Sequence, residues 1–347
     1  MRKAESRWNH EEAAALLARA ETLHLASSTE AGTPVLRALH AVCVGNLVAF
    51  HGAKAGERRR CIGRPAVVSA ERILANIPSY FIDPERACPA TTYYQSVQAR
   101  GMLVEVTDLE EKAAVVEALM QKYQPEGKYE PLSPTSPLYK KALKGLLVYG
   151  VRVEAISGKV QSGQRRKGEE LTRILEGLWK RGGAQDLAAI DSIVASRPDA
   201  SFSKLQGPGN TVLRCRFGNA EQPDVVDLLR GTYWNRDASD QAIAAAHAAS
   251  TAWVGALDAN GRVVGTARAL ADGSKVAWIY DVIVRPSSQG LGIGSALMRL
   301  LLDHPMVRDC TCVELVTRDA QAFYEQFGFR NEGKHAPTGY SQLRLMR

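Results

Sequence analysis

The sequence predicts two domains in series, an antiparallel β-barrel followed by a mixed α/β domain, and three observations carry that reading. A chain of 347 residues, 45% hydrophobic and 23% charged, holds about two separately cored domains at roughly 100 to 200 residues each. In the first half, six strand-like runs are interrupted by a single long helix, a pattern of antiparallel pairing and not of βαβ units. Beyond the turn-forming cluster Gln206-Gly207-Pro208-Gly209-Asn210, helices and strands alternate.

Asn9 followed by Glu11 and Glu12 reads as an N-cap with acidic residues in the first turn, opening a helix that ends near Ala20. Apolar or β-branched runs at 23–28, 35–44, 47–51, 66–70, 93–106 and 146–156 are bounded by Gly, Pro, Asn or Asp and read as strands. Gly45-Asn46 is a hairpin pair, since both residues tolerate positive φ. Helices are expected over 109–123 and from about Lys167 to Arg181. The second half predicts helices at 222–232 and 239–249, a hairpin of 252–257 and 263–270 around Asn260-Gly261, and a strand at 276–284. A glycine-rich turn, a helix at 295–302, a strand at 311–316 and a helix at 320–327 complete it. The expected organisation is therefore a barrel at 1–182, a linker at 183–210 and an α/β domain at 211–347.

The charge of +7 is spread thinly, with 28 basic and 23 acidic residues in 1–200 and 16 and 14 in 201–347. Mild anion attraction is expected, not a nucleic-acid surface. No window approaches the roughly 18 to 20 apolar residues of a membrane span, and the first ten residues lack a signal peptide's apolar core. A cytoplasmic protein is expected. Six scattered cysteines do not form a disulfide framework, and the close pair Cys310 and Cys312 has no matching ligands nearby, so no metal site is predicted.

The most informative segment is Val282-Ile283-Val284-Arg285-Pro286-Ser287-Ser288-Gln289-Gly290-Leu291-Gly292-Ile293-Gly294-Ser295. A strand runs into a loop with three alternate glycines, then into a helix, an arrangement that lets backbone N–H groups close around an anion. The spacing G-x-G-x-G departs from the dinucleotide fingerprint G-x-G-x-x-G. Gln289, Gly292 and Gly294 instead meet the pattern Q/R-x-x-G-x-G/A, and with Tyr233-Trp234, Val264-Gly265-Thr266-Ala267-Arg268 and the run from Leu315 to Phe329 the region resembles the GCN5-related N-acetyltransferase superfamily. The resemblance implies that backbone around Val282 and Val284 pairs with pantetheine. It also implies that Gln289, Gly290, Leu291, Gly292, Ile293, Gly294 and Ser295 hold the pyrophosphate of acetyl-CoA. Tyr324 stands where many relatives place the general acid for the departing thiolate. Transfer also needs a neutral amine, and Asp281 is the best-placed acidic residue to act as base or amine anchor.

In the first half, Phe50-His51-Gly52-Ala53-Lys54-Ala55-Gly56-Glu57-Arg58-Arg59-Arg60 places small residues and three arginines after a strand, a composition suited to phosphate. Together with Arg64-Pro65-Ala66-Val67-Val68-Ser69 and Tyr93-Tyr94-Gln95-Ser96-Val97, this series resembles the FMN-binding split-barrel proteins related to pyridoxamine 5′-phosphate oxidase, especially the nitroimidazole-resistance-like branch. The resemblance implies Arg37, Arg58 and Arg59 on phosphate or ribityl, Phe50, His51 and Gly52 along the isoalloxazine, and Ser96 and Gln164 as polar contacts. It also implies a homodimer, because family flavin sites form between two barrels. No lysine follows the Arg37 strand, where Ala41 and Val42 stand, which argues against vitamin B6 oxidation. The expected whole is a flavin-binding barrel fused to an acetyl-CoA-dependent N-acetyltransferase acting on a small amine. Two alternatives stand beside it: a barrel that reduces small electrophiles with reduced FMN, and a non-catalytic module holding FMN or haem.

Overall fold

The computed structural model describes residues 7–52, 56–166, 168–197, 202–332 and 337–347. Residues 1–6, Ala53-Lys54-Ala55 of the basic segment, Lys167 at the expected helix start and Pro198 of the expected linker lie outside them. The chain forms two compact units, one of Met1–Asn76 with Thr92–Gln164 and one of Ile77–Thr91 with Arg165–Arg347.

In the first unit, Asn9 caps α1 (His10–Arg19), its Oδ1 accepting the Glu12 N–H at 2.7 Å. The strands are β1 (Arg7–Trp8), β2 (Leu23–Ser28), β3 (Pro34–Leu39), β4 (Val42–Val44), β5 (Leu47–Gly52), β6 (Pro65–Ile77), β7 (Thr91–Val106) and β8 (Leu147–Gln161). They lie in the order β3-β2-β6-β7-β8-β5-β4, with β1 on β8. The single strand expected at 35–44 is two, because β3 pairs with β2 while β4 turns at Gly45-Asn46 to pair with β5. β7 and β8 slip register at Gly101, where a Cβ would meet the Arg152 carbonyl oxygen at 1.9 Å. Only glycine permits that approach, and the bulge curls the sheet. Leu23, Leu25, Val68, Val97, Leu103 and Tyr149 fill the core inside the curl, while α2 (Leu109–Tyr123) covers Val42, Leu47 and Val148 through Val115 and Leu119. A short α3 (Lys140–Gly145) precedes β8.

The second unit begins with α4 (Gly168–Arg181) and α5 (Ala184–Ser196). Residues 165–182 thus group with the α/β domain and not with the barrel, and the first part of the expected linker is helix. Two packing facts account for this. Trp179 of α4 donates from Nε1 to Asp303 Oδ2 at 3.1 Å, and Arg308 donates to the Trp179 and Lys180 carbonyls at 3.0 and 2.6 Å. Asp191 of α5, in turn, pairs with Arg214 at 3.2 Å.

The sheet of this unit comprises β9 (Val212–Arg214), β10 (Ala252–Leu257), β11 (Val263–Ala271), β12 (Val276–Val284), β13 (Cys312–Thr317), β14 (Arg330–Asn331) and β15 (Ser341–Met346), in the order β14-β15-β13-β12-β11-β10-β9. Helices α6 (Gln222–Leu229) and α7 (Asp240–Ala248) come before the central hairpin, α8 (Ile293–Asp303) crosses between β12 and β13, and α9 (Gln321–Glu325) follows β13. The crossover makes β12 and β13 parallel, as a helical connection requires. Among the described residues no helix is long and apolar enough to cross a membrane.

Two buried groups of this unit titrate in opposition. Burial pushes the Asp191 carboxyl up to about 6 despite Arg214 beside it, so the folded chain binds the extra proton and stability falls as pH rises from about 4 to about 6. Burial also holds the His304 imidazole down at about 4. There the unfolded chain binds the extra proton, and stability rises with pH from about 4 to about 6.5. Relative to the parent, Asp191→Asn should turn the slope of melting temperature against pH upward between pH 4 and 6, and His304→Gln should turn it downward. Slopes unchanged in both variants would contradict these assignments.

Candidate functional site

The site of the second unit arises where its two central strands part. β12 and β13 pair only through Val276, Ala277 and Trp278 against Cys312, Val313 and Glu314, after which each strand continues without the other. On the opposite edge of β12 the register against β11 slips between Thr266 and Arg268, so Asp281 and Val282 together face Ala267. This two-against-one arrangement is a β-bulge, which bends its strand. Asp281 takes φ of 52° there, a left-handed conformation that aspartate tolerates better than most residues.

The cleft between the parted strands has a volume of about 390 Å³ and is lined by Tyr233, Trp234, Arg268, Tyr280, Asp281, Val282, Thr317 and Tyr324, among others. Tyr324 and Asp281, both singled out in the sequence, therefore meet at one cavity. The Tyr324 side chain is largely buried against Phe323 and Phe329, and burial pushes its phenol well above the usual range. It stays protonated at any working pH. The Asp281 carboxylate is occupied by the chain itself: Oδ2 accepts from Arg268 Nε at 2.6 Å, and Oδ1 accepts from Trp234 Nε1 at 2.9 Å and Asn235 Nδ2 at 3.3 Å. Its side chain is only 7% exposed. A carboxylate so engaged is held by the chain's own donors, and the expected role of base or amine anchor would have to work past all three of them.

The glycine turn follows β12. Gln289 folds back to donate from Nε2 to the Val284 carbonyl at 3.0 Å, which fixes the strand's exit. Gly290 and Gly292 take φ of 77° and 83°, where a side chain would be strained. The first helical bond of α8 runs from Ala296 N–H to Gly292 O at 3.0 Å, and the N–H groups of Gly290, Leu291, Gly292, Ile293, Gly294 and Ser295 have no protein acceptor among the described residues. Unengaged N–H groups at a helix start are suited to an anion. The Leu291 side chain is exposed and that of Ile293 is buried in the core, so both can serve a ligand only through their backbone. Asn235 and Tyr340, which also line the cleft, were not anticipated; nothing in their local sequence distinguishes them.

In the barrel, β5 ends at His51 and Gly52, and a 3-10 turn at Glu57–Cys61 carries Arg58, Arg59 and Arg60. Arg58 lies 5.7 Å over the Phe50 ring, and a Cβ at Gly52 would stand 3.2 Å from the Arg58 guanidinium. Gly52 thus admits Arg58 beside Tyr149. The Tyr149 hydroxyl is buried with no protein partner, an unmet group beside Arg58 that the sequence reading did not foresee. Arg59 is exposed with no ion pair among the described residues, and His51 is exposed. These groups fit the phosphate-bearing end of a flavin.

Other expected contacts fit less well. Phe50 is 1% exposed and belongs to the core. Arg37 is ion-paired with Glu57. Gln164 closes the turn after β8, accepting from Ser162 N–H and donating to Val160 O, each at 3.0 Å. Ser96 lies opposite Lys159 in the β7–β8 ladder.

Residues 9–160 match the pyridoxamine 5′-phosphate oxidase family, and residues 220–329 match the acetyltransferase (GNAT) family. The chain thus carries a split-barrel domain followed by a GNAT domain. The uncharacterized N-acetyltransferase ycf52 of Pyropia yezoensis is 36% identical over 73 residues, covering 21% of this chain and 42% of that protein. The GCN5-related N-acetyltransferase 1, chloroplastic, of Arabidopsis thaliana is 34% identical over 131 residues, covering 37% of this chain and 66% of that protein. The chain therefore spans less than half the length of the first relative and about two thirds of the second. Among solved structures, the flavocytochrome Anf3 from Azotobacter vinelandii is similar over 45% of this chain and 69% of its own, with 19% identity and a TM-score of 0.38.

Removal of Asp281 leaves Arg268, only 12% exposed, without its counter-charge. Asp281→Ala should destabilise the second unit by about 3 to 5 kcal/mol in denaturant melts. Asp281→Asn, which keeps an acceptor and tolerates left-handed backbone, should cost markedly less; equal losses would show that the carboxylate does not anchor the bulge.

Proposed function

We propose that the second unit transfers an acetyl group from acetyl-CoA to a small primary amine, and that the barrel holds FMN. The single observation that carries the first part is the parting of β12 from β13 beside a turn with six unengaged N–H groups. A pyrophosphate would take those hydrogens, and the pantetheine arm would run along the free edge of β12 near Val282 toward Tyr324.

The amine nitrogen then attacks the thioester carbonyl, forming the C–N bond as the C–S bond breaks. Binding both reactants in one cleft makes the attack effectively intramolecular, so no protein nucleophile is needed. Tyr324 gives its phenolic proton to the departing sulfur and recovers one from water, while the proton lost by the amine leaves through the open cleft to solvent. Asp281 acts at one remove, fixing Arg268 and Trp234 in the cleft wall.

When bound, a flavin supplies hydride and electron transfer. In this chain Arg58 and Arg59 would hold its phosphate, with the Tyr149 hydroxyl as a further polar contact. His51 stands at the exposed end of β5, and Gly52 makes the space that Arg58 occupies. We further propose that the barrel pairs as a homodimer in the cytoplasm.

Acetyl-CoA should raise the melting temperature of the protein, since a ligand selective for the native state stabilises it by mass action. Gly292→Val should abolish that shift; a surviving shift would place the diphosphate elsewhere. Tyr324→Phe should lower kcat with an amine acceptor by about 100-fold or more while leaving acetyl-CoA affinity nearly unchanged. An unaltered rate would remove the phenol from the mechanism. Protein purified with flavin should show the cofactor's visible absorbance, and Arg58→Ala with Arg59→Ala should release it; a colourless parent protein that also fails to take up added FMN would refute the barrel's part.

A further inference from the structure

One buried ionisable side chain beside the cleft has no part in the acetyl-transfer reading. His247, in the last turn of α7, is 1% exposed and packs against the Trp253 ring, the two centroids 5.1 Å apart. Its Nδ1 stands 2.8 Å from the Ile243 carbonyl oxygen and must donate to it, so in the neutral ring Nε2 carries a lone pair. That nitrogen is buried with no hydrogen-bond partner, and it lies 3.8 Å from Asp281 Oδ2.

Both ring nitrogens therefore face oxygen. The imidazolium is suited to that placement, whereas the neutral ring aims a lone pair at a carboxylate. The groups around the ring pull in opposite directions. Asp281 of β12 and the Ile243 carbonyl of the same helix favour a proton on it, while burial and Arg268 of β11 oppose one. Trp253 of β10 brings no charge. Arg216 and His304 line a cavity that His247 also borders, and burial holds the His304 imidazole down at about 4. Burial is the largest influence on His247 and lowers its pKa from the usual value, so the ring is neutral at neutral pH and takes its proton in acid.

We propose that His247 is a proton-dependent positioning residue for the acceptor side of the cleft, acting through Asp281. Once protonated, Nε2 donates to Asp281 Oδ2, the oxygen that already accepts from Arg268 Nε at 2.6 Å. Two cations then share one oxygen, and the hold on Arg268 loosens. Arg268 lines the cleft and lies 4.8 Å over the Tyr280 ring, and Asp281 Oδ1 holds Trp234 and Asn235 of the same wall. A proton taken up behind the wall thus reshapes its face. The glycine turn is no part of this network, so acceptor binding follows the proton and acetyl-CoA binding does not.

The structural part of the test uses the full-length protein without substrate and two nuclear magnetic resonance signals. The His247 ring nitrogens are identified by their loss in His247→Gln, and the Trp234 indole N–H by its loss in Trp234→Phe. From about pH 8 to about pH 4.5, Nε2 should gain its proton and the Trp234 signal should move with the same midpoint. In His247→Gln the Trp234 signal should lose that midpoint, and in Asp281→Asn the His247 midpoint should fall by about one pH unit or more. The kinetic part rests on the acetyl-transfer reading. With a primary amine acceptor, the ratio of parent KM to His247→Gln KM should rise about 3-fold or more toward acid, the acceptor's own titration cancelling in the ratio, while the same ratio for acetyl-CoA stays flat. In a protein that shows no acetyl transfer, a Trp234 signal that still follows His247 supports the positioning role and counts against the enzymatic reading alone. An Nε2 that gains no proton over the range, a Trp234 signal indifferent to His247, a His247 midpoint unmoved in Asp281→Asn, or a flat acceptor ratio in an active enzyme would each overturn the proposal.

Discussion

The second unit depends on parting β12 from β13 while β12 keeps its pairing with β11. Main-chain hydrogen bonds hold a strand straight, and a strand edge left open would ordinarily pair again. Here the bulge at Asp281 and Val282 bends β12, which pairs with β11 again at Ile283 and Val284, and the buried pair of Asp281 and Arg268 holds that bend in place. Trp234 and Asn235 add their donors to the same carboxylate. A polar network of this kind is costly unless every member is satisfied, and the Asp281 oxygens are. The open edge, the cleft and the position of the glycine turn all follow from that local distortion.

Charge is managed differently in the barrel. Three consecutive arginines on one short turn would repel one another, and Glu57, immediately before them, takes Arg37 as its partner. Arg58 is settled against the Phe50 ring instead of a carboxylate. The result is a basic surface on which a ring holds Arg58 while Arg59 and Arg60 stand exposed, leaving guanidinium donors for an anion. Tyr149 rests under this cluster with its hydroxyl buried and unpaired, and glycine at 52 is what lets the two approach.

The glycine turn was legible because its signal is local: the backbone conformations at Gly290 and Gly292 are written in the residues that adopt them. The place of Tyr324 at the cleft matches the expectation drawn from its short aromatic run. The role of Asp281 was not legible. Its neighbours Trp234, Asn235 and Arg268 come from positions far apart in the chain, and only folding shows that they consume its oxygens. Gln164 was misread for the converse reason, since its amide is spent on the turn two residues away. The helix at Ala184–Ser196 escaped notice because flanking Gly and Pro residues resemble a linker, while the burial of Leu187, Ile190 and Ile193 depends on tertiary packing. Phe50 ends a continuous apolar run from Leu47 that fits either a core or a ligand wall, and its burial places it in the core.

The path of the chain has a practical corollary for anyone wishing to dissect the protein. Residues 77–91 sit in sequence between two barrel strands yet group with the second unit, so no single scission yields two intact cassettes. A fragment begun at the edge of the family match, near residue 220, would also discard β9 and strip β10 of its outer neighbour. Since Ala252 through Ala256 are all buried, such a truncation would bare an apolar strand margin and invite self-association.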